Sequence, residues 1–175
     1  EEKIHYYPKL VSEYKITPFQ HQLEAIEWGL NQDSGLILDE AGLGKTATII
    51  HLAEELKEQK GLEHCLIICG INSLKANWES EIKKHSNLNS RIIGKRINSR
   101  GKVSYASIKE RAEELMHPIE EFFMIINIES LRFDDIVQAL RTTTNKIDMA
   151  VFDEAHKIAN STAAQAKGLL KLTKY

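Results

Sequence analysis

Residues 36–46 run Leu-Ile-Leu-Asp-Glu-Ala-Gly-Leu-Gly-Lys-Thr, an apolar stretch ending in a turn that Gly44-Lys45-Thr46 closes. A helix-forming segment, 47–59, follows. A strand, a glycine-containing turn and a helix in this order gather backbone N–H groups and the positive end of a helix at one point. Such a point favours phosphate. Lys45 is long enough to reach β- and γ-phosphates, and the Thr46 hydroxyl can bind Mg²⁺. Gly42, Leu43, Gly44, Lys45 and Thr46 are therefore the expected nucleotide-binding set. The strict phosphate-loop pattern places a glycine at position 39, where this chain has Asp39. Alone, Gly-Lys-Thr equally describes a surface turn with an exposed lysine. The strand before it and the helix after it favour the phosphate reading.

A second motif strengthens the first. Residues 148–156 read Asp-Met-Ala-Val-Phe-Asp-Glu-Ala-His. The apolar run 149–152 predicts a buried strand, and two carboxylates follow at its C-terminal end, where α/β sheets place ligand chemistry. Adjacent side chains of an extended segment point in different directions, so Asp153 and Glu154 suit separate roles. Asp153 is expected to hold Mg²⁺, directly or through water. Glu154 is expected to orient and deprotonate the water that attacks the γ-phosphate. A solvated acidic strand end is the bland alternative, and the Gly-Lys-Thr turn tips the balance against it.

The rest of the chain alternates strands and helices. Helical spacing is expected over 19–30, 46–60, 74–85, 107–116, 130–141 and 163–172, with Asn72 or Ser73 capping the third. Gly61 and Pro118 mark helix ends. Strands are expected at 35–38, 64–69, 91–94, 122–128 and 148–153, and 96–105 reads as loop. Strands that are apolar throughout and alternate with helices predict a mostly parallel α/β sheet covered on both faces. A lead-in, 1–16, precedes one domain, 17–175.

Composition narrows the class. The chain is 42% hydrophobic and 27% charged, and no apolar run approaches a membrane span. Its polar start gives no sign of a signal peptide, and the absent initiator methionine suggests a trimmed or processed start. Cys65 and Cys69 share one strand-like run, too far apart along it to bridge. They read as reduced core residues of a cytosolic or nuclear protein. A net charge of −2 carries no global nucleic-acid signature, although a local groove would suffice.

Taken together, the motifs resemble the first motor lobe of superfamily II helicases, and most closely the Swi/Snf-type DNA translocases with their bacterial and phage relatives. Pro18-Phe19-Gln20-His21-Gln22 resembles the adenine-reading glutamine motif. Residues 39–46 resemble the family's phosphate loop, which commonly begins Asp-Glu. Residues 66–78, with Ser73-Leu74 and Asn77-Trp78, and residues 126–132 resemble its DNA-facing segments. Asp153-Glu154-Ala155-His156 is a DEAH box. The resemblance spans most of the chain. It departs from the family at Gly70-Ile71, where a proline is usual, and at Ile128, where a tyrosine is common.

The resemblance implies a three-layer RecA-like lobe that binds ATP and Mg²⁺ and, in the intact protein, steps along double-stranded DNA. It implies Gln22 as the adenine reader, ahead of Gln20. Asn72, Ser73, Lys75 and Asn127 become candidate DNA contacts, and His156 a link between the ATP site and DNA. Simple helix capping is an equal reading of Asn72, Ser73 and Lys75, and Trp28 is expected in the core. The basic stretch 91–102 reads either as a phosphate-tracking patch or as a solvated loop, the second being the more ordinary. The family's coupling motif and its second RecA-like lobe, which carries an arginine finger, have no counterpart here. Little turnover is therefore expected from this lobe alone. Cytoplasmic residence follows for a bacterial or phage protein, nuclear for a eukaryotic one. Another superfamily II motor, or a non-catalytic nucleotide- or DNA-binding module, is the alternative.

Overall fold

His64–Cys69 (β1) and Phe123–Asn127 (β5) are apolar at nearly every position, and every residue of both strands is buried. A strand without a polar face needs cover on both sides, and the fold supplies it. The computed structural model describes residues 10–35, 42–70, 72–153 and 164–172. Its elements are helix α1 (Gln20–Leu30), α2 (Lys45–Lys60), β1, α3 (Asn72–His85), β2 (Ser90–Ile92), β3 (Lys95–Ile97), β4 (Val103–Tyr105), α4 (Ile108–Met116), β5, a 3-10 turn (Ile128–Arg132), α5 (Asp134–Thr142), β6 (Ile147–Phe152) and α6 (Ala164–Leu172).

Strands β2, β5, β1 and β6 lie side by side in that order, all parallel. Alternation along each strand splits the core in two. Leu66, Ile68, Met124 and Ile126 face one way, onto Leu115 of α4 and Ile136, Val137 and Leu140 of α5. Cys65, Ile67, Phe123 and Ile125 face the other way, onto Ile50 and Ala53 of α2 and Trp78 and Ile82 of α3. This is the expected three-layer α/β arrangement. A smaller cluster of Ile26, Leu30 and Leu52 fastens α1 to α2. Gly168 of α6 meets the Leu131 carbonyl so closely that a Cβ would collide with it, which lets α6 lie directly on the 3-10 turn.

Local chemistry sets the ends. Gly61 caps α2 in the left-handed region, its N–H bonded to the Lys57 carbonyl at 2.9 Å. Ser107 and Glu110 form a reciprocal capping box on α4.

Several expectations need correction. Asn72 and Ser73 are the first residues of α3, not caps before it. Residues 96–105 are not plain loop: β3 and β4 pair antiparallel, Lys95 with Tyr105 and Ile97 with Val103. Residues 130–141 are not one helix: 130–132 belong to the 3-10 turn, and α5 starts at Asp134. β6 is not fully buried: exposed residues alternate with half-buried ones and Val151 alone is buried; the strand ends the four-stranded order among the described residues. Trp28 is 47% exposed, its ring laid against Gly35 instead of sunk in the core. Residues 36–38 of the expected strand lie outside the described residues.

Candidate nucleotide site

Gly42 and Gly44 both have positive φ, +90° and +78°, the backbone region that side chains disfavour. Gly44 is the N-cap of α2, and its carbonyl accepts the Thr48 N–H at 3.0 Å. The helix therefore begins at Lys45, one residue earlier than its spacing predicts, and its N-terminal end faces the loop. Gly42, Leu43 and Gly44 are exposed, while Lys45 and Thr46 are half-buried. Open backbone N–H groups above a helix start are the arrangement that binds phosphate.

α1 is stitched to this loop. The Gln22 amide oxygen accepts the Phe19 N–H at 2.9 Å, and its nitrogen donates to the Gly44 carbonyl at 3.2 Å. Gln22 is buried. A ring nitrogen of His21 lies 3.1 Å from the Leu43 carbonyl. Gln22 keeps one N–H and one oxygen lone pair for a ligand, but two of its bonds hold the loop. It lines a cleft of about 440 Å³ with Phe19, Gly42, Gly44, Lys45 and His85.

Thr46 and Asp153 line an adjoining cavity of about 310 Å³, together with Leu74, Asn77, Trp78 and Glu81. Thr46 and Glu81 belong to both walls. Asp153 follows β6, its N–H bonded to the Ile68 carbonyl at 3.0 Å. One of its carboxylate oxygens accepts the Trp78 indole N–H at 2.9 Å. A hydroxyl-bearing and a carboxylate residue lining one cavity suit Mg²⁺, which prefers oxygen ligands and keeps several waters. Glu154 and His156 lie outside the described residues.

The four expected DNA contacts lie at or beyond the C-terminal ends of β1 and β5. Ser73 is exposed. Asn127 is buried, its side chain accepting the Ser130 hydroxyl at 2.6 Å and donating to Glu129 at 3.4 Å. Lys75 is 1% exposed, with its ammonium 3.9 Å from the centre of the Tyr105 ring. Burial, then the charge of Arg111, lowers its pKa. Asn72 begins α3 beside them.

A polar network behind the nucleotide cleft escaped the sequence reading. Glu55 is fully buried and accepts the Val11 and Ser12 N–H groups at 3.1 and 2.9 Å. It also accepts the Tyr14 hydroxyl at 2.8 Å and Gln59 at 2.7 Å. Burial works against its charge, but these donors outweigh it and hold the carboxyl below its ordinary pKa. Burial and the Glu55 bond push the Tyr14 phenol up. Next to it, Glu54 accepts the Ser86 hydroxyl at 2.6 Å and pairs with His51 at 3.1 Å. The sequence signal was two adjacent acids inside a helix that otherwise faces the core. Cys65 and Cys69 are buried and unbridged, as expected.

Comparison with known proteins finds a family and several relatives. A match to the SNF2-related domain family spans residues 21–175. An uncharacterized ATP-dependent helicase of Mycoplasma pneumoniae is 31% identical over 90% of the chain and 14% of its own length. A probable ATP-dependent DNA helicase of Arabidopsis thaliana, CHR23, is 27% identical over 97% of the chain and 15% of its own length. The chain thus spans about one-seventh of these relatives. The solved SWI2/SNF2 ATPase core of Sulfolobus solfataricus, in complex with dsDNA, shares the fold. Its TM-score is 0.70 at 22% identity, over 94% of this chain and 32% of that one.

Proposed function

Because this chain belongs to the SNF2-related domain family, we propose that it is the ATP-binding lobe of a motor that hydrolyses ATP to move along duplex DNA. One observation carries the reading. Thr46 of the phosphate loop and Asp153 of the acidic strand share one cavity, and that cavity adjoins the cleft lined by Gln22, Gly44 and Lys45. Two motifs about a hundred residues apart thus line adjoining cavities, which supports a site for a triphosphate and its metal. No helix among the described residues is long and apolar enough to cross a membrane.

In this reading Gly42, Leu43 and Gly44 cradle the phosphates, Lys45 neutralises the β- and γ-oxygens, and Gln22 meets the base. Thr46 and Asp153 would hold Mg²⁺, which would offset charge on the transferring phosphoryl group. Glu154 takes the proton of the attacking water, and His156 relays the state of the site towards DNA. Phosphoryl transfer depends mostly on positioning and charge stabilisation. A second RecA-like lobe supplies the arginine finger, so residues 17–175 alone turn over little ATP.

Triplex and strand displacement by the natural full-length protein test the motor reading. A duplex translocase strips a third strand from duplex DNA with ATP but does not separate the duplex. Unwinding without triplex displacement would assign the lobe to a strand-separating helicase instead.

A further inference from the structure

Among the described residues the β3–β4 ribbon lines neither nucleotide cavity, and its construction points to a partner. Strand alternation places Lys95, Ile97, Val103 and Tyr105 on one face of it. The base of that face is docked: Tyr105 covers the buried Lys75 ammonium, and Lys95 pairs with Glu79 of α3 at 2.5 Å. From the other face Arg96 pairs with Glu114 of α4 at 3.0 Å. Further out the same docked face is bare, with Ile97 63% and Val103 46% exposed. The ribbon therefore overhangs the lobe, its apolar underside turned to the side where α3 begins.

The tip is built, not slack. The Asn98 side chain accepts the Arg100 and Lys102 N–H groups at 3.0 and 2.9 Å. The Asn98 N–H and carbonyl bond Lys102 and Gly101, and Gly101 sits at φ +74°. Arg100 and Lys102 project from this turn exposed, and neither makes an ion pair among the described residues. No acid lies between residues 91 and 102.

We propose that the β3–β4 ribbon is a DNA-docking arm: Arg100 and Lys102 hold duplex phosphates while Ile97 and Val103 lie against the groove wall. The proposal rests on the duplex-DNA reading above. Its occupant follows from charge complementarity and shape, since two free cations on a rigid tip match a polyanion and a two-stranded ribbon fits the major groove. The Tyr105–Lys75 contact sets the base of the arm beside the first turn of α3, which follows β1, so it extends the candidate DNA face outward.

The test is binding of a labelled duplex by the natural full-length protein across a range of salt, with Mg²⁺-nucleotide binding measured in parallel. Arg100→Glu/Lys102→Glu should weaken duplex binding by about tenfold or more and reduce the magnitude of the log–log salt slope by about 1.8, two phosphate contacts' worth. Nucleotide binding should be unchanged. The charge-preserving Arg100→Lys/Lys102→Arg should keep the wild-type slope. If the reversed pair disturbs folding, Arg100→Gln/Lys102→Gln decides by the same slope. A variant slope equal to wild type, where the wild type binds duplex, overturns the arm and leaves the motor reading standing. A wild-type protein that binds no duplex overturns both.

Discussion

The Trp78 indole N–H donates to the Asp153 carboxylate at 2.9 Å, joining α3, the helix that begins at the candidate DNA contacts, to the acidic end of β6. The bond occupies one carboxylate oxygen and fixes how the other is presented to the cavity shared with Thr46. Partners that orient a metal-holding carboxylate commonly matter about tenfold or more. Trp78→Phe keeps most of the packing against Ile82 and Val151 but deletes the donor. It should raise the Mg²⁺ concentration needed for half-maximal hydrolysis by about tenfold, with little change in melting temperature. An unchanged Mg²⁺ requirement would show that the bond is only packing.

Gly44 serves the loop in two ways. Its φ is +78°, and a Cβ there would lie 2.6 Å from the Gln22 amide nitrogen. Gly44→Ala therefore strains the turn and pushes away the side chain that stitches α1 to it. Nucleotide affinity should fall about 100-fold, as should that of Lys45→Ala, which removes the charge proposed to face the phosphates. Titration with a fluorescent ATP analogue checks both.

Gln22→Ala separates stitching from base reading. If Gln22 both holds the loop and meets the base, the variant loses affinity for ATP and also loses preference for ATP over GTP. A loss of affinity with intact preference assigns Gln22 to the loop alone. Competition between the two nucleotides provides the readout.

Glu55 gives the protein an acid-sensitive anchor. Its carboxyl titrates below its ordinary value when folded, so its contribution to stability is present above about pH 4.5 and is lost as pH falls through the folded value. Glu55→Gln leaves buried donors without their charged acceptor and should cost about 2–3 kcal/mol. At neutral pH that lowers the melting temperature by roughly 4–12 °C. The gap between variant and wild type should close in acid, which thermal scans over a pH series would show. A constant gap would remove the charge from the explanation.

How much was legible depended on whether a segment's role is written in its own residues. β1 and β5 were visible because a strand covered on both faces is apolar throughout, and the end of α2 because glycine follows it. The ribbon at 95–105 was hidden. Its strands are three residues long, polar on one side, and held by Glu79 and Glu114, which are distant in sequence. Lys75 read as a candidate DNA contact or a helix-start residue, yet Tyr105 covers it, a contact that exists only once the ribbon is folded down. Trp28 looked like core because aromatic residues at helical spacing usually are, but α1 meets α2 through Ile26 and Leu30. The glycine turn and the helix start behind it were legible from Gly-Lys-Thr and its flanks. The bonds from Gln22 to Phe19 and Gly44 were not, since both partners are backbone atoms with no sequence signature.

In the proposed reading, ATP chemistry in this lobe serves movement on duplex DNA. ATP hydrolysis by the natural full-length protein, with and without double-stranded DNA and beside a Glu154→Gln control, tests it most directly. Strong stimulation by duplex is predicted, with turnover in the control down about 10²–10⁴-fold while ATP still binds. Hydrolysis that is indifferent to duplex, or that survives in the control, would contradict the account.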